Sequence, residues 1–195
     1  MKTKPMDNPA ANPAANPAAN QTGSQRDTTP TRINNAGLVL LQGFFPPLFT
    51  RLGLLENKQF VSDSAQRRAV HCLQFLASGR DAAPENVLML NKLLCGLAMH
   101  ESVEISMAMT AKEVEICAGL LGNAIAYWSA ISTTSIDGFR EKFLVRDGSL
   151  TEATDHWGLI VDRRAYDVLL ARSPFSYSVI KHTWMKQAIY VTWPT

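Results

Sequence analysis

Proline returns at every fourth residue near the start of this chain. The unit "NPAA" stands three times in tandem from Asn8, and the polar string "NQTGSQRDTTPTR" follows it. Proline at that spacing removes backbone donors and prevents regular helix, and alanine alone buries too little surface to offset the entropy of ordering. The repeat is also too short to stack as a solenoid. Residues 1–32 therefore read as a disordered Pro/Ala/Asn-rich arm with polyproline II character. Any core must come from residues 33–195, which read as a single globular module.

That module opens on "NNAGLVLLQGFFPPLFTRLGLL", residues 34–55, a stretch nearly free of charge. Gln42, Gly43 and the pair Pro46-Pro47 break it well short of the roughly 18–20 apolar residues that a spanning helix needs. No apolar run follows the N-terminal "MKTKPMD", so a secretory signal is not predicted there. The stretch reads instead as a proline-broken helical pair, since Pro46 biases Phe45 away from helix and Pro47 suits a first turn. Leu38 and Leu41 are predicted core anchors, and Phe44, Phe45, Pro46 and Pro47 a candidate partner-binding surface.

Helix signals follow. "SDSAQRRAVHCLQFLASG" has a capping start at Ser62–Ser64 and a stop at Gly79, with Ala69, Val70, Leu73, Leu76 and Ala77 on its apolar face. "APENVLMLNKLLCGL" places Val87, Leu90, Leu94 and Leu97 on one stripe. Thr110 and Glu113 have the spacing of a capping box. Val114, Cys117, Leu121, Ala124, Ile125, Trp128 and Ile131 then recur at helical period. "TTSIDGFREKFLVRDGSL" predicts a shorter capped helix closed by a turn at Asp147-Gly148. Past residue 150, "HWGLIVD" and "AIYVTW" read as two short strands paired antiparallel, flanking a helical "RAYDVLLAR". The predicted fold class is mainly α: a helical bundle-like module with a small C-terminal α+β cap. Leu94, Trp128, Trp157, Trp184 and Trp193 complete the predicted core anchors, since tryptophans on apolar faces are more often core than ligand contacts.

Chemistry is sparse in this sequence. A formal charge of +2, with acids and bases nearly balanced, leaves no electrostatic footprint for nucleic acid. Cys72, Cys95 and Cys117 lie in apolar helical runs and read as buried reduced thiols. His71 beside Cys72, with Cys95 and His100 further on, lacks the paired spacing of a zinc site. No nucleophile elbow, phosphate loop, zinc-protease or dinucleotide motif is present. Asp137, Arg140, Glu141, Arg146 and Asp147 read as a solvated face or as structural ion pairs. A hydrolase using Asp137 or His71 would need a deep polar pocket joining titratable groups. No catalytic residue, metal ligand or cofactor is assigned, and the chain reads as a non-enzyme.

The ordered series "NAGLVLLQGFFPPLFTRLGLL", "RRAVHCLQFLASG", "PENVLMLNKLLCGL", "TAKEVEICAGLLGNAIAYWSAI", "TTSIDGFREKFLVRDGSL", "WGLIVDRRAYDVLLARSPFSYSVIKHTWM" and "YVTW" resembles a region of known proteins. It is similar to the C-terminal region of the tape measure proteins of contractile injection systems, the phage-tail-like particles of bacteria. It departs from them at Gln42-Gly43, at Pro47, and at "SPF" and "HTW", residues 173–175 and 182–184. The resemblance covers residues 33 to the end, with only a short arm ahead of it. Even wholly helical, the chain would reach only about 290 Å at ~1.5 Å per residue. A compact module has a radius of gyration of roughly 15 Å, and the arm adds on the order of 100 Å. The chain is thus a poor ruler for a long tube on its own.

The resemblance implies a structural or assembly component that docks noncovalently on tube, hub or baseplate proteins. An adaptor or chaperone-like factor that binds a tail component or cargo is the alternative. Self-association in a symmetric complex and assembly in the cytoplasm, followed by residence in the particle, also follow from it. Neither a nucleic-acid partner nor a membrane span is implied.

Overall fold

The computed structural model describes residues 29–194, so residues 1–28 of the predicted arm lie outside the described part. The first element is a strand, β1 (Thr31–Ile33), which begins inside the stretch assigned to the arm. A 3-10 helix, Ala36–Phe44, follows it, and its first six residues are all buried. Those six residues need no polar face because protein surrounds them. At a rise of ~2.0 Å per residue these six carry the chain about 12 Å through the interior. Gly37 lets it pass against the backbone of Phe143, where an added Cβ would overlap the carbonyl oxygen.

Helix α1 (Phe45–Arg51) starts on the two prolines, which occupy first-turn positions where no backbone donor is needed. A small hairpin of β2 (Leu55–Glu56) and β3 (Gln59–Phe60) leads into α2 (Asp63–Ser78). Ser62 caps α2 by accepting from Ala65 N–H at 3.1 Å, and Gly79 ends it in the left-handed conformation at φ 70°. The next segment is a 3-10 turn, Glu85–Leu88, running into the short α3 (Met89–Leu94). Helix α4 (Ala111–Tyr127) carries the full capping box of Thr110 and Glu113. Its stripe is buried from Cys117 onward, but Val114 stands exposed. The predicted helix after Ser135 is only α5 (Ile136–Phe139), which widens into a π turn at Arg140–Leu144.

Where a closing turn was predicted at Asp147-Gly148, a strand begins, β4 (Gly148–Glu152). It pairs antiparallel with β5 (His156–Val161). The predicted helix "RAYDVLLAR" is a 3-10 helix, Ala165–Arg172. Strands β6 (Val179–Ile180) and β7 (Ala188–Thr192) follow. The sheet is five-stranded, in the order β1-β4-β5-β7-β6.

Two expectations are corrected here. Strands β5 and β7 run parallel, not antiparallel, because the chain crosses over through the 3-10 helix and β6 before returning. The fold is α+β rather than mainly α, with 48% helix and 16% strand. The sheet takes in β1 from before the first 3-10 helix as well as the later strands, and that 3-10 helix lies against β5. Ile33, Leu150, Leu159, Val161, Ile180 and Ile189 are buried, while Ile160, Tyr190 and Val179 alternate onto the opposite, solvent-facing side. Helix α2 sits at the centre of the helical layer, touching α3, α4, the π turn and the first 3-10 helix.

Candidate interaction surface

The proline-broken entry divides into residues with opposite fates. Phe45 is fully buried, its ring 6.0 Å from Phe49 and 6.1 Å from His182. It packs in the core of the described residues. Phe44 is half-buried, Pro46 is half-buried, and Pro47 is exposed. The Phe44 ring meets Phe175 edge-on at 5.5 Å. Phe175 in turn lies 6.3 Å from Tyr127 and 5.9 Å from Trp128. Gln42 Nε2 donates to the carbonyl of Ser176 at 2.9 Å, tying the 3-10 helix to the irregular segment that carries Phe175.

Three chain segments therefore meet in one aromatic patch, and Tyr127 at its rim is 71% exposed. Its neighbour Trp128 is fully buried and packs 4.9 Å from Phe143. The end of α4 thus points one ring inward and one outward. Tyr127 and Phe175 were not singled out from sequence. Tyr127 falls off the apolar stripe of α4, which is a local signal, but the approach of Phe175 is long-range and leaves none.

The other anchors lie as follows. Leu38, Leu41 and Leu94 are fully buried, and Trp157, Trp184 and Trp193 nearly so. Trp184 donates Nε1–H to the carbonyl of Leu94 at 2.9 Å and stacks on His182 at 4.6 Å. Trp193 donates to Asp167 Oδ2 at 3.2 Å. Asp167 is the centre of a buried ionic network. Arg146 grips it with both terminal nitrogens, at 2.6 and 2.8 Å, and also donates to the carbonyl of Asp162 at 2.6 Å. Burial alone would raise the Asp167 pKa, but Arg146, the Arg164 N–H and Trp193 together hold it below the usual carboxylate value.

The charged group read from "DGFREKFLVRDG" is thus dispersed. Arg146 is interior, whereas Arg140 donates to the carbonyls of Leu76 and Phe75 at the end of α2, at 3.1 and 3.2 Å, and pairs with exposed Asp137. His71 is fully buried with neither ring nitrogen partnered among the described residues, and burial lowers its pKa. Burial likewise pushes all three thiols up, Cys117 to about 12 and Cys72 and Cys95 above the usual range, so they stay protonated. Among the described residues no cluster of three or more His, Cys, Asp or Glu side chains is placed to hold a metal ion. None of their helices is long and apolar enough to cross a membrane.

Among the described residues, this arrangement offers an exposed aromatic patch on a packed core. A family model described as contractile injection system tape measure protein matches residues 1–193. The chain belongs to that family. The match takes in the "NPAA" repeats as well as residues 33 onward, so it extends beyond the stretch whose motifs carry the sequence resemblance. No curated protein and no solved structure matches the chain. Within this family the chain is a structural component related to the tape measure protein of an injection particle.

Proposed function

We propose that this tape measure family member works as a noncovalent assembly component. Residues 33–195 act as one docking module that seats on a tube, hub or baseplate protein, with residues 1–32 as its arm. The observation that carries the reading is the patch of Phe44, Phe175 and Tyr127, flanked by Pro46 and Pro47. A 71% exposed tyrosine beside two half-buried phenylalanines is the composition of an interface anchor, rigid and rich in apolar area.

The test is made in the producing bacterium. A clean deletion is expected to give absent or misassembled particles, and normal particles with normal tube length would overturn the assembly role. Tyr127→Glu places a charge on the patch without touching the core. It is expected to leave the protein folded while reducing its recovery in purified particles by about tenfold. Wild-type recovery of that variant would show that docking uses another surface. Absence of the wild-type chain from particles, with binding to a free tail component, would favour an adaptor.

A further inference from the structure

One face of the five-stranded sheet is turned to the core, and the other carries a cluster of apolar side chains of its own. Strand pairing sets Gly158 of β5 beside Tyr190 of β7, and Tyr190 beside Val179 of β6. Paired residues share a face, so Tyr190 and Val179 stand together, with Ile160 two residues beyond Gly158 on the same side. Ile160 is 54% exposed and the other two are 51% exposed, so no element among the described residues lies over them. Single apolar residues at a surface are ordinary, but these three are neighbours. They also stand over β5 and β7, a parallel pair, and parallel pairs are normally covered on both faces.

This outer face changes character across the sheet. On the β1 side it is charged, since Arg32 donates to Ser149 Oγ at 3.0 Å and pairs with Asp162 at 2.6 Å. Toward β7 and β6 the strand neighbours of the apolar cluster are Thr151, Gly158 and Thr192, which carry no charge. The His156 ring, 4.9 Å from Tyr190, is held by Asp155 at 2.7 Å. A cover for the cluster is therefore uncharged and rich in small apolar groups.

The chain itself supplies such a segment within reach. Residues 8–20, three "NPAA" units closed by Asn20, contain no charged side chain. Strand β1 is antiparallel to β4, β4 is antiparallel to β5, and β5 is parallel to β7. Strand β1 thus starts at the same end of the sheet as β5 and β7, and the chain ahead of Thr29 departs from that end. In the sheet β7 is three strands from β1, about 14 Å at ~4.8 Å per strand. Residues 21–28 reach about 26 Å when extended, enough to lay residues 8–20 over Tyr190. A segment tethered this closely has an effective concentration on the order of millimolar, so the small area that proline and alanine bury suffices. Proline at every fourth position lowers the entropy lost on docking, and its ring suits an aromatic surface such as Tyr190. The family match begins at residue 1 and so includes this segment with the module.

We propose that residues 8–20 dock on the outer face of their own chain's sheet, across Ile160, Tyr190 and Val179. The contact uses no residue of the aromatic patch and stands whichever particle protein that patch meets.

The test is paramagnetic broadening of backbone NMR signals in the isotopically labelled full chain. Cys72, Cys95 and Cys117 are buried, so a nitroxide can be attached selectively at Ala14→Cys. An undocked arm would broaden Arg32 most, because β1 lies nearest along the chain. Docking is expected to reverse that order, with Ile160, Val179 and Tyr190 broadened more than Arg32. Tyr190→Thr keeps a strand-forming residue while removing the ring, and is expected to lower the docked-to-free ratio about tenfold. Val179→Lys, on a two-residue edge strand where a charge is tolerated, is the second variant and should act in the same direction. Broadening that peaks at β1 and fades toward β6 would overturn the proposal, as would a pattern unchanged in both variants. Nitroxide-bearing chain without isotope, mixed with isotopically labelled wild type, tests the other occupant. Broadening of Ile160 and Val179 in that mixture as strong as within one chain would make the arm of a second copy the cover and overturn the same-chain assignment.

Discussion

Arg146 is a fully buried charge whose loss would strand a buried partner. It stands between the π turn and β4, and among the described residues its counter-charge in contact is Asp167. Cation–π contacts to Trp193 at 5.1 Å and Tyr166 at 5.9 Å complete its surroundings. Removing one partner of such a pair strands the other charge without water. Arg146→Met is therefore expected to destabilise the protein by about 3–5 kcal/mol in chemical denaturation, and Arg146→Met with Asp167→Leu to recover much of that. The three thiols give a second test at this scale. They are buried and protonated, so labelling by a thiol reagent in native buffer should be slow. Its rate should follow opening of the structure rather than thiol chemistry.

Among the elements, the first 3-10 helix has the least room for change. Gly37→Ala is expected to destabilise more than an ordinary core overpacking, by at least about 3 kcal/mol, because the obstacle is backbone rather than a side chain that can swing away. Helices α2 and α4 could be read from sequence because each carries its own start signal, Ser62 and the Thr110–Glu113 box, and an unbroken stripe of several turns. The sheet could not. Strands β1 and β6 are three and two residues long, below any length at which alternation is visible. Strand β4 begins at Gly148, the second residue of Asp147-Gly148, a dipeptide that locally signals a turn. The same limit governs the interaction surface. Phe44 and the prolines stand out because they break a helix, whereas Phe175 joins them only through the folded backbone.

For the molecule as a whole, pH is the most direct probe. His71 and His182 are held below the usual histidine pKa by burial. The unfolded chain takes up protons there below about pH 6.5 that the folded chain refuses, so stability is full above that pH and declines as pH falls. Glu113 adds a second, lower step. Hydrogen bonding from Arg68 outweighs burial and, with help from Thr110, lowers its pKa from 4.5 to about 2. Its contribution is present above pH 4.5 and is lost as pH falls toward 2. Thermal melting across pH 8 to 3 is expected to show Tm dropping first below about 6.5 and again below about 4.5. His182→Phe, which keeps a ring against Trp184, should flatten the upper part. A Tm independent of pH from 8 to 5 would contradict the burial of these rings.

The parallel pairing of β5 with β7 also sets the order in which the protein can be finished. Strand β7 lies between β5 and β6 in the sheet yet is synthesised after both. Until it arrives, β5 has β4 on one side and an open hydrogen-bonding edge on the other. The completing pairing is long-range, which makes it slow. A nascent chain that has emerged only as far as β6 thus exposes an apolar, unpaired edge, the form most prone to join another copy of itself. Crowded synthesis of many copies would make that interval the point at which a folding helper matters, and lowering the expression temperature or rate should raise the soluble yield.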